Sequence, residues 1–192
     1  MLRRHPILRM KAKILFNVWF ALGLGVASLM AGPARDSKAR VGVYDSRAVA
    51  YAHFWSEAAT EKRNALIAQA RAAKTAGDDA RYRKLDQALR DLQARDHLEV
   101  FSSAPADEAV AVLRDDLRAL QIDLGLARIV SKWDEVALQA IPPAGRVDLT
   151  ERLVRELLPN PTEKQQKVLA SFRTSRPMPL DKAKQLAAAG KL

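Results

Sequence analysis

The feature that most constrains the fold is a pair of proline-free, helix-forming stretches on either side of Gly77. Ser56–Ala76 and Ala80–Glu99 are rich in Ala, Glu, Lys, Arg and Gln, residues that lose little on entering a helix. Gly77 offers a C-cap and Asp78 or Asp79 the next N-cap. In the second stretch Tyr82, Leu85, Leu89 and Leu92 follow a 3-4-3 spacing, which places them on one helical face. Folding the chain back at Gly77 sets Leu89 opposite Leu66, Leu85 opposite Ala70 and Tyr82 opposite Ala73. Large residues then face small ones, as an antiparallel helical hairpin requires. Each arm is about 20 residues, hence roughly 30 Å long. A single long helix through Gly77 is the other reading, since a glycine costs only about 1 kcal/mol there. The pairing favours the hairpin, over about 56–99.

The rest of the pattern predicts an α+β chain, mostly α, with a small β body. Val41 and Val43 alternate in a short strand ending at Asp45, and Ser46 offers a cap for the turn or short helix behind it, over Arg47–Phe54. Ser103, Pro105, Asp107 and Glu108 form a helix start. The helix behind them carries the cleanest apolar stripe: Val110, Leu113, Leu117, Leu120 and Leu124. Leu126–Trp133 reads as a buried strand around Ile129 and Val130. Asp134-Glu135 turns it into a second strand, Val136–Ala140, and Pro142–Gly145 is a loop. Asp148-Leu149-Thr150-Glu151 fits a capping box, with Asp148 as cap and Glu151 reaching back. Pro159 ends the helix that follows. The tail 159–192 has two helix-prone pieces, one opened by Thr162–Gln165 and one at Leu180–Ala189. Its weak apolar content predicts loose docking or disorder.

Charge and the N-terminus set the address. The chain has 192 residues and a formal net charge of +10. Five of its basic residues, Arg3, Arg4, Arg9, Lys11 and Lys13, precede Ile14, and no acid accompanies them. An apolar run, Ile14–Ala31, follows and ends among small residues. This is the layout of a secretory signal over 1–31. An uncleaved inner-membrane anchor is the alternative, because about 18 apolar residues approach a bilayer's thickness. Met10 provides a second possible start. Either way the remainder faces a non-cytoplasmic compartment, the periplasm if the signal is cleaved. Residues 32–158 hold 20 basic and 20 acidic side chains, whereas 159–192 hold 7 and 2. The excess therefore sits in the tail, where a solvated basic segment is the plainer reading; an anionic membrane surface or peptidoglycan is the alternative contact, and export argues against nucleic acid. With no cysteine there is no disulfide and no lipid attachment through a thiol.

Motifs for chemistry are scarce. No glycine-rich phosphate loop, Gly-x-Ser-x-Gly or His-Glu-x-x-His is present. His53 and His97 fall at the base of the hairpin, without a third metal ligand. Asp45, Asp134 and Asp148 all begin or end elements, where turn and cap roles explain them. Trp133 reads as packing at a strand's end. No catalytic residue, cofactor or metal is expected.

The order of elements, with Val-Gly-Val-Tyr-Asp-Ser-Arg-Ala-Val at 41–49, Ala-Arg-Ile-Val-Ser-Lys-Trp-Asp-Glu-Val-Ala-Leu at 127–138 and Val-Asp-Leu-Thr-Glu-Arg-Leu-Val-Arg-Glu-Leu at 147–157, resembles the Skp/OmpH family of periplasmic chaperones. The resemblance covers about Arg40–Leu158. It implies a homotrimer with a central strand body and projecting coiled-coil arms that shield unfolded outer-membrane proteins, without catalysis. On this chain it implies that Val41, Val43, Ile129, Val130 and Trp133 form the body or oligomer interface. It also implies that Leu66, Ala70, Tyr82, Leu85 and Leu89 pack the arm. The arms here are shorter than the family's, Ser102–Pro105 interrupts the descending helix, and the basic tail is additional.

Overall fold

The computed structural model describes residues 40–192. The signal or anchor segment, the Met10 start and the polar linker up to Lys38 lie outside the described residues. The chain is mostly helical around one small three-stranded sheet. Strand β1 (Val41–Tyr44) is central, flanked by β2 (Arg128–Ser131) and β3 (Arg146–Asp148). Both neighbours run parallel to β1, with Gly42 opposite Ile129 on one side and Val147 on the other. Parallel strands need crossovers rather than hairpins. The chain between β1 and β2 supplies one: α1 (Ser46–Phe54), α2 (Glu57–Thr75), α3 (Asp79–Phe101), α4 (Asp107–Val112) and α5 (Arg114–Asp123). Between β2 and β3 lie the short α6 (Glu135–Leu138) and a single 3-10 turn at Pro143–Gly145. After β3 come α7 (Thr150–Leu157), α8 (Glu163–Thr174) and α9 (Leu180–Ala188).

The second strand expected at Val136–Ala140 does not form. Asp134 instead caps a helical turn, its carboxylate accepting from the Ala137 amide at 2.9 Å. The third strand is Arg146–Asp148, within what reads in sequence as a loop followed by a cap. Three residues are too few to show an alternation, and their pairing with β1 is parallel and non-local. The capping box at 148–151 is also corrected. Asp148 accepts from the Thr150 amide at 2.8 Å, but α7 has Leu149 at its N-cap with no side-chain cap bond. Glu151 reaches outward to Arg155 and Arg173 rather than back. The N-cap of α1 is Asp45, not Ser46. At Thr162–Gln165 the reciprocal box does form.

The apolar stripe from Val110 to Leu124 does face inward, but as two helices meeting at Leu113 rather than one. Leu113 and Leu120 are fully covered, and Val110, Leu117 and Leu124 pack around them. With Val49, Leu126, Leu149, Leu153 and Leu157 they form the main core on one face of the sheet. Each fully buried leucine contributes about 2 kcal/mol of transfer free energy. The other face is thinner: Val41 and Val43 pack with Leu138, Val130 and Ile141. The even-odd alternation of β1 thus sends Val41 and Val43 to one side and Gly42 and Tyr44 to the other.

Helices α2 and α3 join through a tight turn at Gly77, whose φ of +70° lies in the left-handed region. They pack on each other. Ala70 and Ala73 are buried, and Leu66, Tyr82, Leu85, Leu89 and Leu92 are half-buried. Lys74, late in α2, lies 5.4 Å over the Tyr82 ring, early in α3. Among the described residues no helix is long and apolar enough to cross a membrane.

The tail is docked rather than loose. Phe172 in α8 and Ala183 in α9 are buried, and α9 packs on α3. The backbone joins in: the Ser103 amide donates to the Met178 carbonyl at 3.0 Å, and the Met178 amide to the Phe101 carbonyl at 3.1 Å. These ties are polar and backbone-borne, so hydropathy does not register them.

Candidate functional site

The most densely bonded polar cluster sits where the carboxyl ends of the three strands meet helix starts. β1 delivers Asp45, which caps α1 by accepting from the Arg47 amide at 3.1 Å. The β1–β2 ladder continues one step past β2, the Lys132 amide donating to the Tyr44 carbonyl at 2.8 Å, and so brings in Lys132 and Trp133. On the other side the Leu149 amide donates to the Val43 carbonyl at 2.8 Å, which places Thr150 beside Asp45. The Thr150 hydroxyl oxygen accepts from the Asp45 amide at 2.9 Å.

Asp45 is almost wholly buried and its carboxylate is saturated. Oδ1 accepts from Arg47 Nε at 3.2 Å and Trp133 Nε1 at 2.9 Å, besides the Arg47 amide. Oδ2 accepts from Arg47 Nη2 at 3.0 Å and Lys132 Nζ at 2.7 Å. Burial alone would raise this carboxyl. The hydrogen bonds from Arg47, Lys132 and Trp133, with the Lys132 charge, outweigh burial and hold it below the ordinary carboxylate range. A carboxylate so committed is a fixed counter-charge and a poor general base.

Arg47 is buried as well and binds in two directions. One side grips Asp45. Nη2, shared with Asp45, also donates to the Phe172 and Ser175 carbonyls, both at 2.9 Å, and Nη1 donates to the Ser175 hydroxyl at 3.2 Å. Its guanidinium carbon lies 5.0 Å from the ring centroids of both Trp133 and Phe172, within cation–π range. Arg47 therefore clamps the end of α8 to the start of α1.

Beside the cluster, α7 and α8 enclose a cavity of about 710 Å³. Val154, Leu158, Leu169 and Phe172 contribute apolar wall, while Lys132, Thr150, Arg155 and Arg173 line it with donors. Pro159 and Pro161 stiffen the link between the two helices.

A second titratable cluster lies where α1, α3 and α4 meet. Glu108 pairs with Arg95 and lies 3.8 Å from His53 Nε2. Burial pushes Glu99 up to about 7; Arg95 pulls against it, and Asp96, Asp107 and Glu108 add to it. Burial likewise lowers His53 and raises Asp96. An acid whose folded value exceeds its unfolded one stabilises the fold while it holds its proton. That stability is lost as pH rises from about 4.5 through about 7. Glu99→Gln removes this loss. Relative to wild type, the variant gains stability as pH rises from 5 to 8, reaching about 2 kcal/mol. Urea midpoints at each pH measure it, and the difference cancels the opposite trend of His53. A difference constant with pH would refute the buried-acid account.

The residues expected in the body and the arm fall in separate places. Val41, Val43 and Val130 sit in the thinner core face, Ile129 against the main core, and Trp133 in the polar cluster rather than in apolar packing. His53 turns to Glu108, while His97 stacks on Phe101. Asp148 lines the cavity together with Glu151. Sequence reasoning missed Arg47, Lys132, Thr150 and Phe172. The Asp45-x-Arg47 spacing was a usable signal, since it lets an N-cap aspartate take its own arginine. The separation of 125 positions between Arg47 and Phe172 hid the rest. Neither a family model, nor a curated protein, nor a solved structure matches the chain.

Proposed function

We propose that this chain is a non-catalytic binding protein of the bacterial envelope. In this reading α2 and α3 form an antiparallel arm that projects from the sheet body toward a protein partner. The work is that of a periplasmic holdase or envelope-assembly adaptor for unfolded outer-membrane proteins, as the resemblance to the Skp/OmpH chaperones implies. The carrying observation is the seam between α2 and α3: Leu66, Ile67, Leu85, Leu89 and Leu92 keep part of their surface open within one chain. Such a seam gives weak, non-directional apolar contact, which suits clients without fixed shape. The saturation of Asp45 supports the same side of the question. The most suggestive carboxylate in the chain spends its acceptors on structure.

Homotrimer formation through the body and export by the N-terminal segment belong to this proposal. The test is suppression of aggregation of an unfolded outer-membrane β-barrel protein by residues 33–192, with light scattering for the oligomeric state. Suppression at near-stoichiometric ratio by a trimer is expected. A folded monomer that leaves aggregation unchanged would overturn the holdase reading.

A second reading has its own observation. Lys164, Lys167, Lys182 and Lys184 are all exposed on the docked tail helices, a layout suited to an anionic membrane surface. An envelope protein tethered by an uncleaved N-terminal segment would use them that way. Flotation with anionic against neutral vesicles separates the two.

A further inference from the structure

The cavity between α7 and α8 joins four properties that the Arg47 clamp does not account for. It is concave, of a size usual for small-molecule sites, and divided about evenly between an apolar wall and polar groups that include several donors. It also opens at the carboxyl ends of parallel strands, where ligands of open α/β sheets collect.

The donors there are not used up. Lys132 gives one hydrogen bond, to Asp45 Oδ2. An ammonium carries three N–H groups, so two remain. The Thr150 oxygen accepts from the Asp45 amide, which leaves its own O–H to donate. Arg155 and Arg173 meet Glu151 at 2.9 and 3.6 Å, and all three are largely exposed. Exposed pairs of this kind are weak, so a ligand anion can displace Glu151 at small cost.

Charge narrows the ligand further. Asp45 and Arg47 neutralise each other within the buried cluster. The lining then holds three cations, Lys132, Arg155 and Arg173, against two carboxylates, Asp148 and Glu151. The excess of one positive charge matches a monoanion. We propose that this cavity binds a monocarboxylate with an apolar body, its head on Lys132 and Thr150 and its body against Val154, Leu158, Leu169 and Phe172. None of the arm's residues takes part, so the site stands or falls independently of the holdase reading.

The probe is decanoate, with decanol and decyltrimethylammonium as neutral and cationic controls. Binding is followed by calorimetry and by the Trp133 Nε1–H resonance, whose acceptor is Asp45. Saturable decanoate binding is expected, at least tenfold tighter than either control, with a shift of that resonance. Lys132→Gln should weaken it about tenfold. Because Lys132 also touches Asp45, Leu169→Trp provides a second variant: it fills the cavity without altering charge and should abolish binding while the far-UV spectrum stays native. An apolar dipeptide acid compared with its amide tells a chain terminus from a free acid; selective binding of either carboxylate upholds the site. Equal affinity for all three decyl probes, binding that survives Leu169→Trp, or no binding of either decanoate or the dipeptide acid at millimolar concentration would overturn it.

Discussion

Replacing Arg47 with methionine should lower the stability of the fold by about 3–5 kcal/mol, the range for breaking a buried ion pair from one side. The substitution leaves Asp45 buried with only Lys132 as a cationic partner. It also takes this donor from the Phe172 and Ser175 carbonyls, and the Phe172 carbonyl, which is buried, adds its own desolvation cost. The clamp ties α8 to the body, so the loss should be uneven. Limited proteolysis should cut near Pro159–Pro161 and Ser175–Pro179 before the sheet core gives way. Arg47→Lys should rescue little, because a single ammonium cannot replace a planar fork that serves Asp45 and the α8 end together. Urea denaturation with a fragment map measures both effects. Equal stability of wild type and Arg47→Met would refute the clamp.

The same clamp makes removal of residues 159–192 a test of folding rather than of tail function. Truncation takes away three of the acceptors that hold Arg47. Tail function is therefore better tested by charge reversal at the exposed Lys182 and Lys184.

Gly42→Val should cost about 3 kcal/mol, at the upper end of what overpacking a core does. A Cβ at Gly42 would stand 2.8 Å from Leu149 Cδ1 and 3.0 Å from both Ile129 Cγ1 and Leu126 Cδ1. Those side chains come from β2, its preceding loop and the turn before α7. One added methyl group would press on three elements at once, and valine adds two more carbons in the same crowded layer. Gly42→Ala should cost about 1–2 kcal/mol, because the touching groups are side-chain ends that can give way. Thermal midpoints should fall in the order wild type, alanine, valine. A neutral Gly42→Val would mean that the central strand does not sit against those leucines.

Helices with a strong local signal were legible in the sequence. The stripe Val110–Leu124, the 3-4-3 spacing after Gly77 and the Thr162–Gln165 box mark their positions through neighbours three and four residues away, which is what a helix brings together. The strand β1 was legible for the same reason, through its two-residue alternation. The strand β3 was not, because three residues without a pattern become a strand only when β1 lies alongside them. Asp134 shows local chemistry prevailing: its capping of α6 removed the strand expected at Val136–Ala140.

The candidate site was legible only in pieces. Asp45 reads as a turn or cap residue and Trp133 as packing, and neither Arg47 nor Lys132 stands out in the sequence. Bringing them together takes the parallel sheet, which aligns the ends of β1, β2 and β3 although they are far apart in sequence. Sequence alone thus determined the helical character, the paired stretches about Gly77 and the charge surplus of the tail, all properties of short range or of simple count. Only the tertiary structure decided that the strands run parallel, that the tail is docked, and that Asp45 and Arg47 lock α1 to α8. Those outcomes depend on hydrogen bonds between residues about a hundred positions apart, which leave no periodic trace in the chain.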